Sequence, residues 1–261
     1  MSDWQPNQYL KFKDDRTQPS IDLVNRIEVD SPKRIIDIGC GPGNSTKILK
    51  DRWPEAEIIG LDNSAAMIEK AQTTDPDIDW VLMDSNADLS SFGKFDIIFS
   101  NAALQWMPGH EVLIPKLFDM LNEGGAIAIQ VPYVKHLPIF AEILNLTKNE
   151  KWSAYFQAPP EYPKHFAFPH FYAIISPLSE SLKAWQTDYI TILDSHEGIV
   201  EWYKGTALRP FLNMLPDESL QAEFCNDYLE KVVEAYPVEK NGKILLPFTR
   251  VFFTLYRIQN L

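Results

Sequence analysis

The chain contains 261 residues, with 24 basic and 36 acidic side chains that give a formal net charge of −12. Because 45% of the residues are hydrophobic and 23% are charged, the chain can bury a full core, which excludes an intrinsically disordered segment. The acidity also disfavours partners such as nucleic acids and anionic membranes, since their phosphates would be repelled.

The cysteines and the N-terminal segment indicate the cellular compartment. Cys40 and Cys225 lie far apart and lack the spacing of metal ligands, so the pattern predicts neither a disulfide framework nor a zinc site. The N-terminus has no apolar signal-peptide core, and no run of about 18 apolar residues is present. We therefore expect a cytoplasmic protein with no metal and no membrane association, while the sequence gives no indication of its oligomeric state.

Short β-rich runs alternate with helical patterns through the first half of the chain. The predicted strands are Arg34–Ile38, Glu57–Leu61, Ile78–Leu82, Phe95–Phe99 and Ala126–Val131. Helices are predicted at Asn44–Arg52, Ser64–Gln72 and Glu111–Leu121, the last of which is stopped by Asn122–Gly125 (NEGG). This alternation predicts βαβ units that form a parallel sheet.

The rhythm changes after Pro132, where proline and aromatic residues predict an irregular, partly helical insertion. A strand is expected near residues 182–190, mostly helical structure over 196–235, and a last strand at 247–257. We predict one α/β domain over 1–261, a Rossmann-like, parallel-rich sheet flanked by helices. Residues 1–134 would form its cofactor-binding core, and residues 135–246 an α-rich cap from the C-terminal half.

A glycine-rich loop, Asp37–Gly43 (DIGCGPG), separates the first predicted strand from the first helix. Glycines there permit positive φ angles and a close approach of a ligand, and the helix N-terminus behind them favours a carboxylate or a phosphate. A dinucleotide-binding loop has the spacing G-x-G-x-x-G, whereas these glycines lie at 39, 41 and 43 and Asn44 follows. The spacing therefore speaks against an NAD-dependent oxidoreductase.

Acidic residues follow the next two strands. Asp62 ends the second strand, where a carboxylate can accept both hydroxyls of a ribose. Asp84 follows the third strand and can accept an exocyclic amine of adenine, and Asp37 can pair with an ammonium but would repel a pyrophosphate. These groups together suit S-adenosylmethionine better than NAD. Each acid taken alone has an ordinary structural interpretation, such as a helix cap at Asp62.

The sequence resembles the class I S-adenosylmethionine-dependent methyltransferases. The loop, Asp62, Asp84, Phe95–Asn101 and Leu121–Gly125 match the successive motifs of that superfamily. Five segments distributed along the chain narrow the resemblance to the trans-aconitate 2-methyltransferase family: 2–10, 41–46, 101–106, 205–211 and 241–246. The resemblance implies the corresponding fold, S-adenosylmethionine as the cofactor, and esterification of a small polycarboxylic acid.

The matched motifs also imply which residues form the cofactor site. They are Asp37, Gly39, Gly41, Gly43, Asn44, Asp62, Asn63, Met67, Asp84, Ser85, Asn101 and Ala102. The same resemblance implies a lid over the cofactor formed by Trp4, Tyr9 and Arg16.

Methylation of a carboxylate requires no general base, because a carboxylic acid with a pKa near 4 is ionised at pH 7. Catalysis can then arise from proximity and orientation, so we predict no catalytic acid or base. Arginine side chains suit carboxylate clamps, and Arg209 and Arg250 lie at family-matched positions. The predicted substrate-binding residues are Gln105, Trp106, Gln130, Tyr172, Trp202, Arg209 and Arg250. Surface ion pairs remain the alternative for the arginines, and core packing remains the alternative for the aromatic residues.

Three alternative functions stay open at this point. The first is a methyltransferase with another carboxyl acceptor, such as a malonyl thioester. The second is the NAD-dependent oxidoreductase that the glycine spacing disfavours. The third is a methyltransferase-like protein that binds the cofactor without turnover, which the presence of two candidate clamps, Arg209 and Arg250, disfavours.

Overall fold

A computed structural model describes residues 13–158, 160, 166–205 and 207–258. The helices in this part of the chain are α1 (Lys13–Asn25), α2 (Asn44–Arg52), α3 (Ala65–Thr74), α4 (His110–Asp119), α5 (Pro138–Leu146), α6 (Phe168–Ile175), α7 (His196–Lys204), α8 (Arg209–Leu212) and α9 (Glu218–Ala235). The strands are β1 (Arg34–Ile38), β2 (Glu57–Asp62), β3 (Asp79–Leu82), β4 (Phe95–Asn101), β5 (Leu121–Pro132), β6 (Leu182–Leu193) and β7 (Ile244–Tyr256). None of these helices combines the length and the hydropathy that crossing a membrane requires.

The strands form one seven-stranded sheet in the order β3-β2-β1-β4-β5-β7-β6. Strands β1 to β5 pair in parallel, and β7 pairs antiparallel to β5, which confirms the predicted parallel-rich α/β sheet. The central strands are continuous apolar runs because both faces of a parallel sheet are covered; Ile36, Phe99 and Ile127 are fully buried. The carboxyl ends of β1, β2 and β4 lie at one edge, where such sheets bind ligands.

The chain forms two compact units. The described residues of the first are 13–132, 166–187 and 250–258. Segment 166–187 differs here from the boundaries drawn from the sequence, which assigned it to the cap. Within the first unit, Phe171 of α6 packs on Phe253 of β7 with ring centroids 5.3 Å apart, and Trp185 of β6 stacks on Phe252 at 4.9 Å. These aromatic contacts give the segment an apolar attachment to the first unit.

The described residues of the second unit are 133–158, 160, 188–205 and 207–249. Its helices are held by polar and aromatic contacts: the Tyr228 hydroxyl of α9 donates to the Ile139 carbonyl of α5 at 3.0 Å. The Trp152 indole donates to Asp227 at 2.7 Å and meets the Phe224 ring edge-on at 5.0 Å. Helices α7, α8 and α9 confirm the prediction of mostly helical structure over 196–235.

The predicted end of the helix over 111–121 is wrong. Helix α4 ends at Asp119 rather than at Leu121, and the segment expected to stop the helix instead belongs to β5. Leu121 pairs with Phe95 of β4, and the Asn122 amide donates to Asp96 at 2.7 Å, so sheet pairing overrides the helical periodicity. Gly124, with φ of 76°, accommodates the irregular start of the strand.

Candidate active site

The glycine loop between β1 and α2 is fixed by hydrogen bonds within the first unit. The N–H groups of Gly39 and Cys40 donate to the Leu61 carbonyl at 2.7 and 3.0 Å, and the Gly43 N–H donates to the Cys40 carbonyl at 3.1 Å. The Gly41 N–H donates to the Asp62 carboxylate at 2.9 Å. Since these loop N–H groups are used inside the protein, the loop is already shaped before a ligand binds.

The three loop glycines differ in the space that surrounds them. All have positive φ, but a Cβ at Gly39 would overlap the Cβ of Ala103, and a Cβ at Gly43 would lie 2.7 Å from the Trp80 ring. A Cβ at Gly41 would meet no atom within 4 Å. Packing therefore demands glycine at two positions, whereas the space beside Gly41 is open to a ligand that approaches the backbone closely.

Asp37, the penultimate residue of β1, stabilises the glycine loop through hydrogen bonds to the helix that follows it. Its Oδ2 accepts hydrogen bonds from the Ser45 and Thr46 hydroxyls of α2, both at 2.7 Å, and the residue is fully buried. Burial raises the pKa of this carboxyl to about 6, although the two hydroxyls act in the opposite direction. Its Oδ1 has no hydrogen-bond partner among the described residues.

Asp62 joins the end of β2 to the glycine loop. Its Oδ2 accepts the Gly41 N–H, and its Oδ1 accepts the Ser64 N–H at 2.9 Å, just before α3 begins. Burial raises the pKa of Asp62, while the backbone donors at 64, 41 and 63 oppose that shift. Each carboxylate oxygen keeps a second lone-pair direction, which can accept a hydroxyl of a bound ribose. We call the loop with Asp37 and Asp62 the cofactor edge, after the role that the sequence analysis predicts for these residues.

The remaining residues predicted for the cofactor have mixed exposure. Asp84 is exposed and accepts the Asn86 N–H at 2.8 Å, whereas Ser85 is buried with its hydroxyl 3.2 Å from the sulfur of Met107. Asn44 opens α2, Asn63 is exposed, and Met67 is buried on α3. No group of three or more His, Cys, Asp or Glu side chains in the described ranges is arranged to hold a metal ion.

Amide side chains gather where β4 and β5 end. Asn101 and Gln130 are paired in register on these neighbouring strands, so both side chains leave the same face of the sheet. The Ala102 N–H donates to the Gln130 carbonyl at 2.9 Å, and the Gln105 amide donates to the Ala102 carbonyl at 2.6 Å. Ala102 adopts a φ of 54°, an uncommon conformation for a residue other than glycine.

These amides leave several polar atoms without partners. Among the described residues, no hydrogen bond reaches Asn101 Oδ1, Gln105 Oε1, or either polar atom of Gln130, which is 0% exposed. A buried polar group without a partner costs about 1–3 kcal/mol, so such a group points to a ligand that completes it. We call Asn101, Gln105 and Gln130 the acceptor edge, after the role that the sequence analysis predicts for Gln105 and Gln130; Asn101, predicted as a cofactor contact, is its neighbour in the sheet.

Comparison with known proteins identifies the family. Residues 35–125 match the family model of a methyltransferase domain. The chain is 40% identical over 258 residues to trans-aconitate 2-methyltransferase of Methylobacterium nodulans, covering 98% of this chain and 99% of that one. It is also 40% identical over 260 residues to the protein of that name from Afipia carboxidovorans, covering 98% and 100%. The chain belongs to the trans-aconitate 2-methyltransferase family.

Solved structures support the fold. A putative methyltransferase from Bacillus halodurans has a TM-score of 0.62 at 10% identity, covering 93% of this chain and 100% of that chain. A Haemonchus contortus phosphoethanolamine N-methyltransferase, solved with S-adenosylhomocysteine, has a TM-score of 0.54 at 15% identity and covers 93% and 53%. At these identities the likeness concerns the architecture of the trans-aconitate 2-methyltransferase family and not its substrate.

The other residues predicted for the methyl acceptor lie in both units. In the first unit, Trp106 and Tyr172 are 42% and 51% exposed, and Arg250 of β7 is buried opposite Pro132. In the second unit, Trp202 is buried and packs on Phe248, as core aromatic residues do, and Arg209 opens α8. Trp4 and Tyr9 of the predicted lid lie outside the described residues, as does the side chain of Arg16.

One pair of residues beside the acceptor edge escaped the sequence analysis. His110 and His170 lie 60 positions apart, yet His110 Nδ1 and His170 Nε2 are 3.0 Å apart. None of the five histidines in the sequence shows metal-ligand or catalytic spacing, so the sequence alone predicts ordinary structural roles for them. Only the packing of α6 on α4 brings the two rings together, so no local signal could have revealed them.

Proposed function

We propose that this protein transfers a methyl group from S-adenosylmethionine to a carboxylate of trans-aconitate, forming a monomethyl ester and S-adenosylhomocysteine. The observation that carries the proposal is the identity of 36–40% to proteins named trans-aconitate 2-methyltransferase, over nearly the whole length of both chains. The cofactor edge supports it locally, because its loop and strand-end acid suit the groups of this cofactor.

Residues of the cofactor edge would hold S-adenosylmethionine, which when bound supplies a methyl group carried by a sulfonium. The open space at Gly41 would let it approach the backbone, and Asp62 would accept ribose hydroxyls. Asp84, exposed after β3, would accept the adenine amine. The other proposed contacts are Asp37, Gly39, Gly43, Asn44, Asn63, Met67, Ser85, Asn101 and Ala102, with Trp4, Tyr9 and Arg16 as a lid.

The chain would act on the acceptor by positioning it. A carboxylate is already ionised at pH 7, so a new oxygen–carbon bond can form without removal of a proton from the acceptor. The protein then has to hold one carboxylate oxygen about 3 Å from the methyl carbon and in line with the bond that breaks. No residue is assigned as a general base.

Arg209 and Arg250 are the proposed carboxylate clamps. A guanidinium meets a carboxylate through two parallel hydrogen bonds, which fixes both position and orientation. Gln105 and Gln130 would add amide contacts, since three of their four polar side-chain atoms have no partner among the described residues. Trp106, Tyr172 and Trp202 complete the proposed acceptor site, with Trp106 also able to wall the sulfonium through its ring.

The setting follows from composition. We propose a cytoplasmic enzyme, because Cys40 and Cys225 are both buried free thiols, as expected in a reducing compartment. A net charge of −12 disfavours nucleic acid as a partner and leaves a small anionic acid dependent on local cations.

The test is an acceptor panel with methyl-labelled S-adenosylmethionine. Trans-aconitate, cis-aconitate, citrate, a malonyl thioester and buffer alone are compared by kcat/KM and by mass spectrometry of the product. We expect a monomethyl ester of trans-aconitate and at least about tenfold lower kcat/KM for the other acids, because correct orientation of the acceptor dominates the rate. A preference for the thioester, or cofactor binding without any ester, would contradict the proposal.

A further inference from the structure

His110 and His170 form a hydrogen-bonded chain that ends on the backbone beside the acceptor edge. His110, the first residue of α4, is 2% exposed. Its Nε2 lies 2.8 Å from the Leu104 carbonyl oxygen, and its Nδ1 lies 3.0 Å from Nε2 of His170 on α6. Leu104 opens the short turn Leu104–Trp106, which carries both Gln105 and Trp106. These two hydrogen bonds therefore connect α6, through His110, to this turn.

The Leu104 carbonyl at one end determines which nitrogen of His110 carries the proton. A carbonyl oxygen can only accept, so His110 Nε2 must carry a proton. In a neutral His110 the Nδ1 atom is then an acceptor, and His170 must donate from its Nε2–H. Burial and the neighbouring His110 lower the pKa of His170, while Glu111 opposes the shift, which favours a neutral His170 at pH 7. With both rings neutral, the hydrogen bonds run from His170 to His110 to the Leu104 carbonyl.

Aromatic packing holds this chain rigidly. The His170 ring stacks on Phe166 with centroids 4.1 Å apart, and the His110 ring lies 5.3 Å from Phe171. An imidazole at position 110 thus has little freedom to turn away from the carbonyl of Leu104. The position of that carbonyl in turn limits where the Gln105 amide and the Trp106 ring can lie.

We propose that His110 is a positioning residue for the methyl acceptor, oriented by His170, and that it acts by holding the Leu104–Trp106 turn. This inference rests on the proposed function, in which Gln105 and Trp106 contact the acceptor. His110 takes no proton from the substrate, because both of its ring nitrogens are engaged in hydrogen bonds, to His170 and to Leu104. Its loss should weaken acceptor binding and leave cofactor binding intact.

Two substitutions of the same chemistry separate this role from simple packing. In His110→Gln the terminal amide reaches about as far as Nε2 and can still donate to the Leu104 carbonyl, whereas in His110→Asn it is one methylene too short. Loss of one hydrogen bond of about 1.5 kcal/mol predicts a KM for trans-aconitate raised about tenfold in His110→Asn. His110→Gln should stay within about threefold of wild type, since most of that bond is kept. The dissociation constant of S-adenosylhomocysteine should be unchanged in both.

His170→Phe serves as the second variant, since it keeps the stacking on Phe166 and removes the N–H that donates to His110. Nitrogen-15 NMR of histidine-labelled wild type should show His110 as the fixed Nε2–H tautomer between pH 6 and 8, and in His170→Phe this tautomer should persist while the Nδ1 signal of His110 shifts, because its hydrogen bond from His170 is lost. An Nδ1–H tautomer in wild type, or equal KM values for His110→Asn and His110→Gln, would overturn the inference. The NMR signals are recorded without acceptor, so a wild type inactive on trans-aconitate would contradict the proposed function alone.

Discussion

The cofactor edge and the acceptor edge belong to the same sheet but differ in whether their polar groups have hydrogen-bond partners within the protein. At the cofactor edge, the N–H groups of Gly39, Cys40, Gly41 and Gly43 all find acceptors within the chain. At the acceptor edge, the Gln130 side chain is fully buried with both polar atoms unsatisfied by any described residue. The backbone of the glycine loop is therefore satisfied without a ligand, with Asp37 Oδ1 the atom there that lacks a described partner, whereas the Gln130 amide gains hydrogen bonds only when a ligand supplies them.

This difference indicates that cofactor binding and acceptor binding have different effects on the protein. A loop that is preformed in this way would bind the proposed cofactor with little reorganisation, since its internal hydrogen bonds need not change. Unsatisfied amides instead reduce stability in the free protein and favour a bound acceptor. Variants at the two edges should consequently separate cofactor affinity from acceptor kinetics and from the stability of the free chain.

The largest effect on acceptor kinetics is expected at the proposed clamps. Arg209→Ala and Arg250→Ala should each lower kcat/KM for trans-aconitate about thirtyfold to several thousandfold, corresponding to about 2–5 kcal/mol for a buried charge pair. The affinity for S-adenosylhomocysteine should barely change. Lysine at either position should rescue only partly, because a point charge cannot reproduce the fork.

Lys243→Ala is the matched control for the arginine variants. Lys243 is a half-exposed cation of the second unit that forms an ion pair with Asp194, and its loss should leave both parameters unchanged. Normal KM and kcat in both arginine variants would place the clamp elsewhere and remove the main physical support for an anionic acceptor.

The second prediction concerns the buried carboxyl of the cofactor edge. Asp37 has a folded-state pKa of about 6 against 3.8 for the free side chain, so its stabilising contribution is complete below about pH 3.8. That contribution is lost as the pH rises through 6, a total of about 3 kcal/mol in the free energy of unfolding. Asparagine cannot titrate, so the difference between wild type and Asp37→Asn should change by most of this amount between pH 4 and 7.

Urea unfolding of both proteins at several pH values measures this difference, with Asp79→Asn as an exposed control. A constant difference between wild type and Asp37→Asn across the pH range would show that Asp37 has an ordinary pKa in the folded protein.

The third prediction concerns Asp62. Asp62→Ala removes the charged acceptor proposed for the ribose and also the partners of the Gly41 and Ser64 N–H groups. Hydrogen bonds to charged groups contribute about 1.5–3 kcal/mol, so cofactor affinity should fall about tenfold to a hundredfold. Titration calorimetry with S-adenosylhomocysteine tests this, and Asp79→Ala, at the opposite end of the neighbouring β3, should bind normally. Unchanged affinity in a folded Asp62→Ala would exclude Asp62 from the cofactor site.

The smallest expected effect sharpens the comparison most. Gln130→Met keeps the approximate shape of the side chain and removes two buried polar atoms that lack partners, so the free energy of unfolding should rise by about 1 kcal/mol. The same variant should lower kcat/KM for the acceptor. Gln186→Met, on the exposed part of β6, provides the control. A Gln130→Met variant that is less stable and equally active would mean that the acceptor edge needs no ligand.

Local sequence features predicted the strand, the glycine loop and the helix of the cofactor edge. The bounds of β1 and α2 agree with the structure, because a buried apolar run leads into a glycine loop and an α-helix that begins directly after Gly43. The end of α4 was wrong because Leu121 continues the helical pattern, and only its pairing with Phe95 shows that it belongs to a strand.

The acceptor edge was less predictable, since its properties depend on distant contacts. Gln130 was singled out as a polar residue at the end of an apolar strand, but its complete burial beside Asn101 follows only from sheet register. His110 and His170 are joined by helix packing and carry no spacing signal at all. Sequence patterns thus report groups that act within one strand–loop–helix unit, and they miss groups that tertiary packing brings together.

The central claim is that this chain forms an ester bond on trans-aconitate with the methyl group of S-adenosylmethionine. The most direct measurement follows carbon-13-labelled methyl S-adenosylmethionine by NMR in the presence of the protein and trans-aconitate. The account predicts loss of the sulfonium methyl signal and growth of one ester O–CH₃ signal, at a rate that falls strongly in Arg250→Ala. A methyl signal on nitrogen or another atom, or a sulfonium signal that persists beside trans-aconitate, would contradict it.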